Sequence, residues 1–239
     1  MFARMKLKEF ELDFPYKKND KFIKNQLEKG MTITEAEGKD YQINWKWERR
    51  KFQLATRCMT SLIERLMEPT ITEECWKIII ECTEDEIKEP VLAEVIFIQH
   101  NINFNDFFSL NDVEKKKKTI DIVWDCLHLW EDKIPFDMKN IYRACQKVRE
   151  LEYVNKRNWK RPIKSSQYIA QFEIEHDVKS ADIYVSVYDH KRNFVKRKLM
   201  VSTQPHEWSI CDYLGKIEWI AKDEIALHSQ EGQVFTCKV

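Results

Sequence analysis

Apolar residues recur at helical spacing through "NWKWERRKFQLATRCMTSLIERLMEP". There Trp45, Phe52, Ala55, Thr56, Met59, Leu62, Ile63, Leu66 and Met67 fall within one broad stripe at 100° per residue. Arg50, Arg57, Ser61, Glu64 and Arg65 lie outside it, so the pattern predicts an amphipathic helix stopped before Pro69. Two further helices are expected at roughly 110–132 and 137–156. The first carries Val113, Ile120, Val123, Trp124 and Leu127 on one face, and the second Ile141, Ala144, Cys145, Val148 and Leu151. A shorter helix around 19–29 ends at Gly30.

Elsewhere the period drops to two. "MKLKEFELDF" reads as a strand, and "CWKIIIECT" places Trp76, Ile78, Ile80 and Cys82 on one side with Lys77, Ile79 and Glu81 on the other. Thr70 and Glu73 have capping-box spacing and offer a helical alternative for that stretch, but the β-branched run favours a strand. "AEVIFIQHNINF" is the next strand, joined to the previous one by a hairpin or by a longer connection through "EDEIKEP". The polar stretch "NKRNWKRPIKSS", with Pro162, interrupts the pattern and marks a boundary. Beyond it, six short β-rich segments separated by turns predict an antiparallel meander or small sandwich. The expected fold class is α+β: residues 1–160 form a mixed domain and 161–239 an antiparallel β domain or subdomain.

Charge modifies this picture regionally. The chain has 40 basic and 40 acidic residues, so no net charge draws the whole molecule to phosphate. Residues 69–111, however, hold two basic against nine acidic side chains, while 1–68 hold 15 against 11 and 112–162 hold 13 against nine. The acidic stretch contains Glu73, Glu74, Glu81, Glu84, Asp85, Glu86, Glu89, Glu94 and Asp106, a surface suited to steering a basic partner. The competing reading is a solvated linker in which Thr83 and Glu86 form a capping box.

Several chemistries lack their sequence requirements. Four glycines, never two within one short loop, exclude a P-loop, a dinucleotide fingerprint and a kinase-type glycine loop. Seven scattered cysteines and an N-terminus without an apolar core suit a reduced, cytoplasmic protein, and "VIFI" is far too short to span a bilayer. Cys126 and His128 point about 200° apart around a helix and cannot share one ion. "FEIEHD" offers Glu173 and Glu175 as a carboxylate pair, although alternation with Phe172 and Ile174 makes them the wet face of a half-buried sheet. Glu-x-Lys elements at Glu37/Lys39 and Glu86/Lys88, with Asp13 and Asp20 upstream, have the composition of a metal-dependent nuclease site and arise easily by chance in so charged a chain.

Four lysines, 115–118, advance around their helix instead of lining one stripe, with stems that can snorkel. "WKWERRK" and "KRNWKR" interleave tryptophan with basic residues, making Trp47 and Trp159 candidate exposed anchors for protein or nucleic acid.

These features point to a non-enzymatic interaction protein without cofactor or metal. Its expected partner-binding residues are Glu73, Glu74, Glu84, Asp85, Glu86, Glu89, Trp47 and Trp159. In character (small, rich in tryptophan, poor in glycine) the chain is similar to bacterial toxin-immunity proteins, which implies a basic toxin or effector domain as partner. The alternative is a nucleic-acid-binding protein, including a nuclease, using Lys115–Lys118, Lys156, Arg157, Trp159, Lys160 and Arg161.

Overall fold

The structure is a computed structural model that describes residues 4–73 and 75–239. It is α+β and falls into two compact units, Met1–Tyr153 and Val154–Val239.

In the first unit, short strand β1 (Met5–Lys6) pairs antiparallel with β3 (Ile71–Thr72). Strands β2 (Glu9–Asp13), β4 (Lys77–Thr83) and β5 (Val95–Asn101) form a parallel sheet in the order β2-β4-β5. Between β2 and β3 run α1 (Asp20–Glu28), α2 (Ile33–Asp40), a π-helical turn (Tyr41–Trp45) and α3 (Lys46–Leu66). Helices α4 (Phe104–Ser109), α5 (Asp112–Leu129) and α6 (Lys139–Glu150) follow β5. Phe10, Leu12, Ile78, Ile80, Cys82, Ile96 and Ile98 supply the buried residues of the sheet. Helix α3 packs on β2, α5 packs on β5, and α3 also meets α5 and α6.

The stripe expected on α3 is buried at Phe52, Ala55, Thr56, Met59, Leu62 and Ile63. On α5, Ile120, Val123 and Leu127 are buried as expected, whereas Val113 is 53% exposed. Val113 sits in the first turn, which Asn111 and Glu114 secure by a capping box without help from core packing. Lys115 and Lys116 are half-buried and Lys117 and Lys118 exposed, as lysines distributed around a helix must be.

Two local expectations change. Strands β4 and β5 are parallel, which excludes a hairpin; the longer connection, residues 84–94, carries the chain back across the sheet. The hydroxyl of Thr83 accepts from the Asp85 amide at 3.0 Å and begins a turn, so Thr83 and Glu86 cap no helix.

In the second unit, β6 (Lys156–Lys164), β7 (Tyr168–His176), β8 (Ala181–Asp189) and β9 (Phe194–Thr203) form an antiparallel meander, followed by α7 (Glu207–Cys211). A second antiparallel sheet contains β10 (Ile217–Ala221), β11 (Glu224–His228) and β12 (Val234–Lys238). Phe172, Ile174, Ile183, Val185, Ile225 and Leu227 belong to one buried cluster drawn from both sheets. The stretch read as a boundary, 155–166, is largely strand β6. Its register shifts between Trp159 and Ile163, which accommodates Lys160 at φ 61° and Pro162 without a ladder donor. On the outer face, Glu173 and Glu175 are bridged by Arg197 (3.5 and 2.6 Å) and Lys156 (3.3 and 3.2 Å). The carboxylates occupy the wet face of the sheet, already paired with cations from neighbouring strands.

Candidate functional site

Parallel strands end together, and the space beyond their carboxyl ends is where open α/β sheets most readily leave a crevice. Here β2 continues into "FPYK" and β4 into "EDE", which form a cleft of about 290 Å³. Phe14, Tyr16 and Trp45 give it an aromatic wall, and Glu84, Asp85 and Glu86 line it together with Lys17 and Lys88. The rings pack on one another: Phe14 and Trp45 centroids are 4.2 Å apart and Tyr16 and Trp45 6.2 Å. The Trp45 indole N–H donates to the Phe14 carbonyl at 3.3 Å.

The acidic segment is held from below. Gln99 on β5 accepts from the Lys88 amide at 2.8 Å and donates to Glu81 at 2.9 Å. The Asn101 side chain donates to the Asp85 carbonyl at 3.0 Å, and Glu84 accepts the Phe104 amide at 3.2 Å, at the start of α4. Because these bonds use backbone groups or single oxygens, the carboxylates of Glu84, Asp85 and Glu86 remain exposed.

The ion pairs of this surface are solvent-exposed. Lys17 pairs with Asp85 at 2.8 Å and Lys133 with Glu89 at 3.4 Å, and all four side chains are more than half exposed. Exposed pairs of this kind are screened by solvent and yield readily to a competing cation. The hydrogen bond and charge of Asp85 raise the Lys17 pKa, so the ammonium stays charged near neutrality. Among the described residues, Glu86 and Glu94 make no ion pair.

Behind the cleft, Tyr16 donates to Asp40 at 2.5 Å. Burial, then the hydrogen bond and charge of Asp40, push the phenol up to about 12, so it stays a donor. Burial pushes the thiol of Cys82, which lines the cleft, well above its usual value; Cys82 is therefore no thiolate at neutral pH.

The expected partner-binding residues do not converge on one spot. Glu84, Asp85 and Glu86 share the cleft, Glu89 is exposed farther along the same connection, and Glu73 lines a separate hollow. Glu74 lies outside the described residues. Trp47 is 60% exposed, in a broad basin with Lys46, Arg50 and Gln42 and not beside the carboxylates. The reason is angular, since Trp45 and Trp47 are two residues apart and about 200° around a helix. Helical spacing places Trp45 with the core stripe of α3, yet it is half-buried in the cleft wall. Its signal was the adjacency of an aromatic-rich segment to the end of a strand.

Trp159, expected as an exposed anchor, is half-buried in the second unit. It meets Phe172 edge-on at 6.1 Å, and the Lys160 ammonium lies 4.5 Å from its ring centroid. A strand places alternate side chains inward, and Trp159 falls on the inward side of β6.

The other constellations remain dispersed. Cys126 is buried and His128 exposed on opposite sides of α5. Glu37 and Lys39 lie on α2, where Glu37 pairs with Lys18 at 2.5 Å and Lys39 donates to Gln26 at 3.0 Å. Asp13 is held by Arg49 through two bonds of 2.7 and 2.6 Å. Among the described residues, no group of three or more His, Cys, Asp or Glu is placed to hold a metal ion. No described helix is long and apolar enough to cross a membrane.

Fold and site together define an α+β protein of two units, the first bearing a cleft lined by aromatic rings, three carboxylates and two lysines. No protein-family model, curated protein or solved structure matches the chain.

Proposed function

We propose that this is a non-enzymatic interaction protein that binds a basic protein partner through the acidic connection 84–94, in the manner of a toxin-immunity factor. The observation that carries this reading is the display of three consecutive carboxylates, Glu84, Asp85 and Glu86, on a connection tied down by Gln99 and Asn101. A fixed array of like charges keeps its field without any cost of ordering on encounter, which favours rapid association with a cationic surface. The aromatic wall beside it suits the face of an arginine or lysine side chain.

The test compares wild-type protein with the triple variant Glu84→Lys, Asp85→Lys, Glu86→Lys as bait in nuclease-treated lysate of the source cells. Mass spectrometry should identify a basic protein retained by the wild type and lost by the variant, and association of that purified protein should slow about tenfold or more at low salt. Equal retention by both baits overturns the reading. Retention seen in a parallel untreated lysate and lost after nuclease treatment also overturns it, in favour of nucleic-acid binding by the basic clusters.

A further inference from the structure

A second feature lies on the first unit, where β3, the end of the 84–94 connection and the turn after α5 enclose a hollow of about 220 Å³. Apart from the exposed carboxylate of Glu73, its polar side chains are already committed. The Thr72 hydroxyl donates to the Cys75 carbonyl and accepts from the Cys75 amide at 3.1 Å, and the Cys75 thiol is directed to the Lys77 carbonyl at 3.2 Å. What remains presented is carbon: Leu92, Ala93, Ile96, Pro135 and Phe136. Leu92 is 49% exposed, and Val91 beside it 60%.

This is unusual company for the most acidic part of the chain. Glu73 lines the hollow, and Glu94 and Asp137, each adjacent in sequence to a lining residue, are exposed. Asp137 pairs with Lys139, both side chains standing largely in solvent. An apolar hollow with spent hydrogen-bonding groups selects a hydrocarbon, and a rim of carboxylates selects a cationic neighbourhood. The volume lies below the roughly 300–1,000 Å³ typical of small-molecule sites and suits one large side chain of a protein partner.

We propose that this hollow receives a single apolar side chain carried within a lysine- or arginine-rich segment of the partner. The inference rests on the reading that the acidic surface binds a basic protein, and it adds the anchor that fixes register. The anchor supplies affinity through burial, whereas the carboxylates supply rate and orientation.

The test uses two fluorescein-labelled lysine-rich peptides of equal length and charge, one with a central leucine and one with serine there, titrated by fluorescence polarisation. Burial of one leucine side chain predicts about tenfold tighter binding of the leucine peptide to the wild type. Ala93→Trp, which fills the hollow from an exposed position, should equalise the two peptides while leaving the serine peptide unchanged. Leu92→Ser should reduce the preference independently, with circular dichroism confirming that both variants fold. Equal binding of the peptides to wild type, or a leucine preference that survives both variants, overturns the anchor and leaves the acidic-surface reading intact. Binding of neither peptide overturns both.

Discussion

Arg57 and Glu64, seven residues apart on α3, form a two-bond pair at 2.9 and 2.8 Å and together grip the backbone of Phe10. Glu64 accepts the Phe10 amide at 2.8 Å, and Arg57 donates to the Phe10 carbonyl at 3.0 Å. Phe10 lies on β2, an outer strand of the parallel sheet, and among the described residues no strand pairs with its far edge. Two side chains thus occupy hydrogen-bonding positions that would otherwise invite another chain. Replacing Glu64 with Ala leaves a buried amide and a half-buried guanidinium without this acceptor. A loss of about 1–3 kcal/mol is expected in urea unfolding, with increased self-association by light scattering. A loss under about 0.5 kcal/mol, the range of an ordinary surface substitution, would contradict the clamp.

Asp40 is fully buried and accepts from the Asn19 amide at 2.9 Å, the Asn44 side chain at 2.7 Å and Tyr16 at 2.5 Å. Burial alone would raise its pKa, but these hydrogen bonds prevail and hold it below the ordinary carboxylate value. A depressed folded pKa contributes stability that is present above the unfolded pKa, about 4, and is lost as pH falls through the folded value. Asp40→Asn should therefore destabilise the first unit by about 1–3 kcal/mol near neutrality. The gap should narrow when melting is repeated near pH 3, and a constant gap would exclude the carboxylate charge as its source.

Two glycines make opposite predictions. A Cβ on Gly215 would lie 2.2 Å from the backbone oxygen of His228, which cannot swing aside as a side chain does. Gly215→Ala should cost about 1–3 kcal/mol or more in thermal or urea unfolding. Gly38 lies on α2 with open space around the position, so Gly38→Ala should stabilise by about 0.5–1 kcal/mol. Equal effects at the two sites would refute the packing described at Gly215.

The tryptophans separate surface from core. Trp47→Ala should change stability by no more than about 0.5 kcal/mol, because its ring stands largely in solvent. Trp159→Ala removes a ring packed on the buried cluster of the second unit and should cost about 2 kcal/mol. Iodide quenching of intrinsic fluorescence should fall more in Trp47→Ala than in Trp159→Ala, with Trp208, 76% exposed, keeping a quenchable component in both.

Local periodicity determined much of this protein. The buried faces of α3 and α5, the inward residues Ile78, Ile80 and Cys82, and the meander after residue 167 follow from spacings of 3.6 and 2 that any chain with this pattern must bury. Concentration of charge in residues 69–111 was equally legible, because it requires only counting. Tertiary structure decided the rest. Alternation along β4 and β5 is the same whether the strands run parallel or antiparallel, so only their packed arrangement sends residues 84–94 back across the sheet and sets Glu84–Glu86 beside Trp45. Lys156–Lys164 reads as polar punctuation until β7 supplies its ladder. Arg57 and Glu64 look like ordinary solvent-facing charges until the edge of β2 arrives between them. In each case the deciding contact joins residues far apart in sequence, and a pattern confined to neighbouring positions carries no record of such a partner.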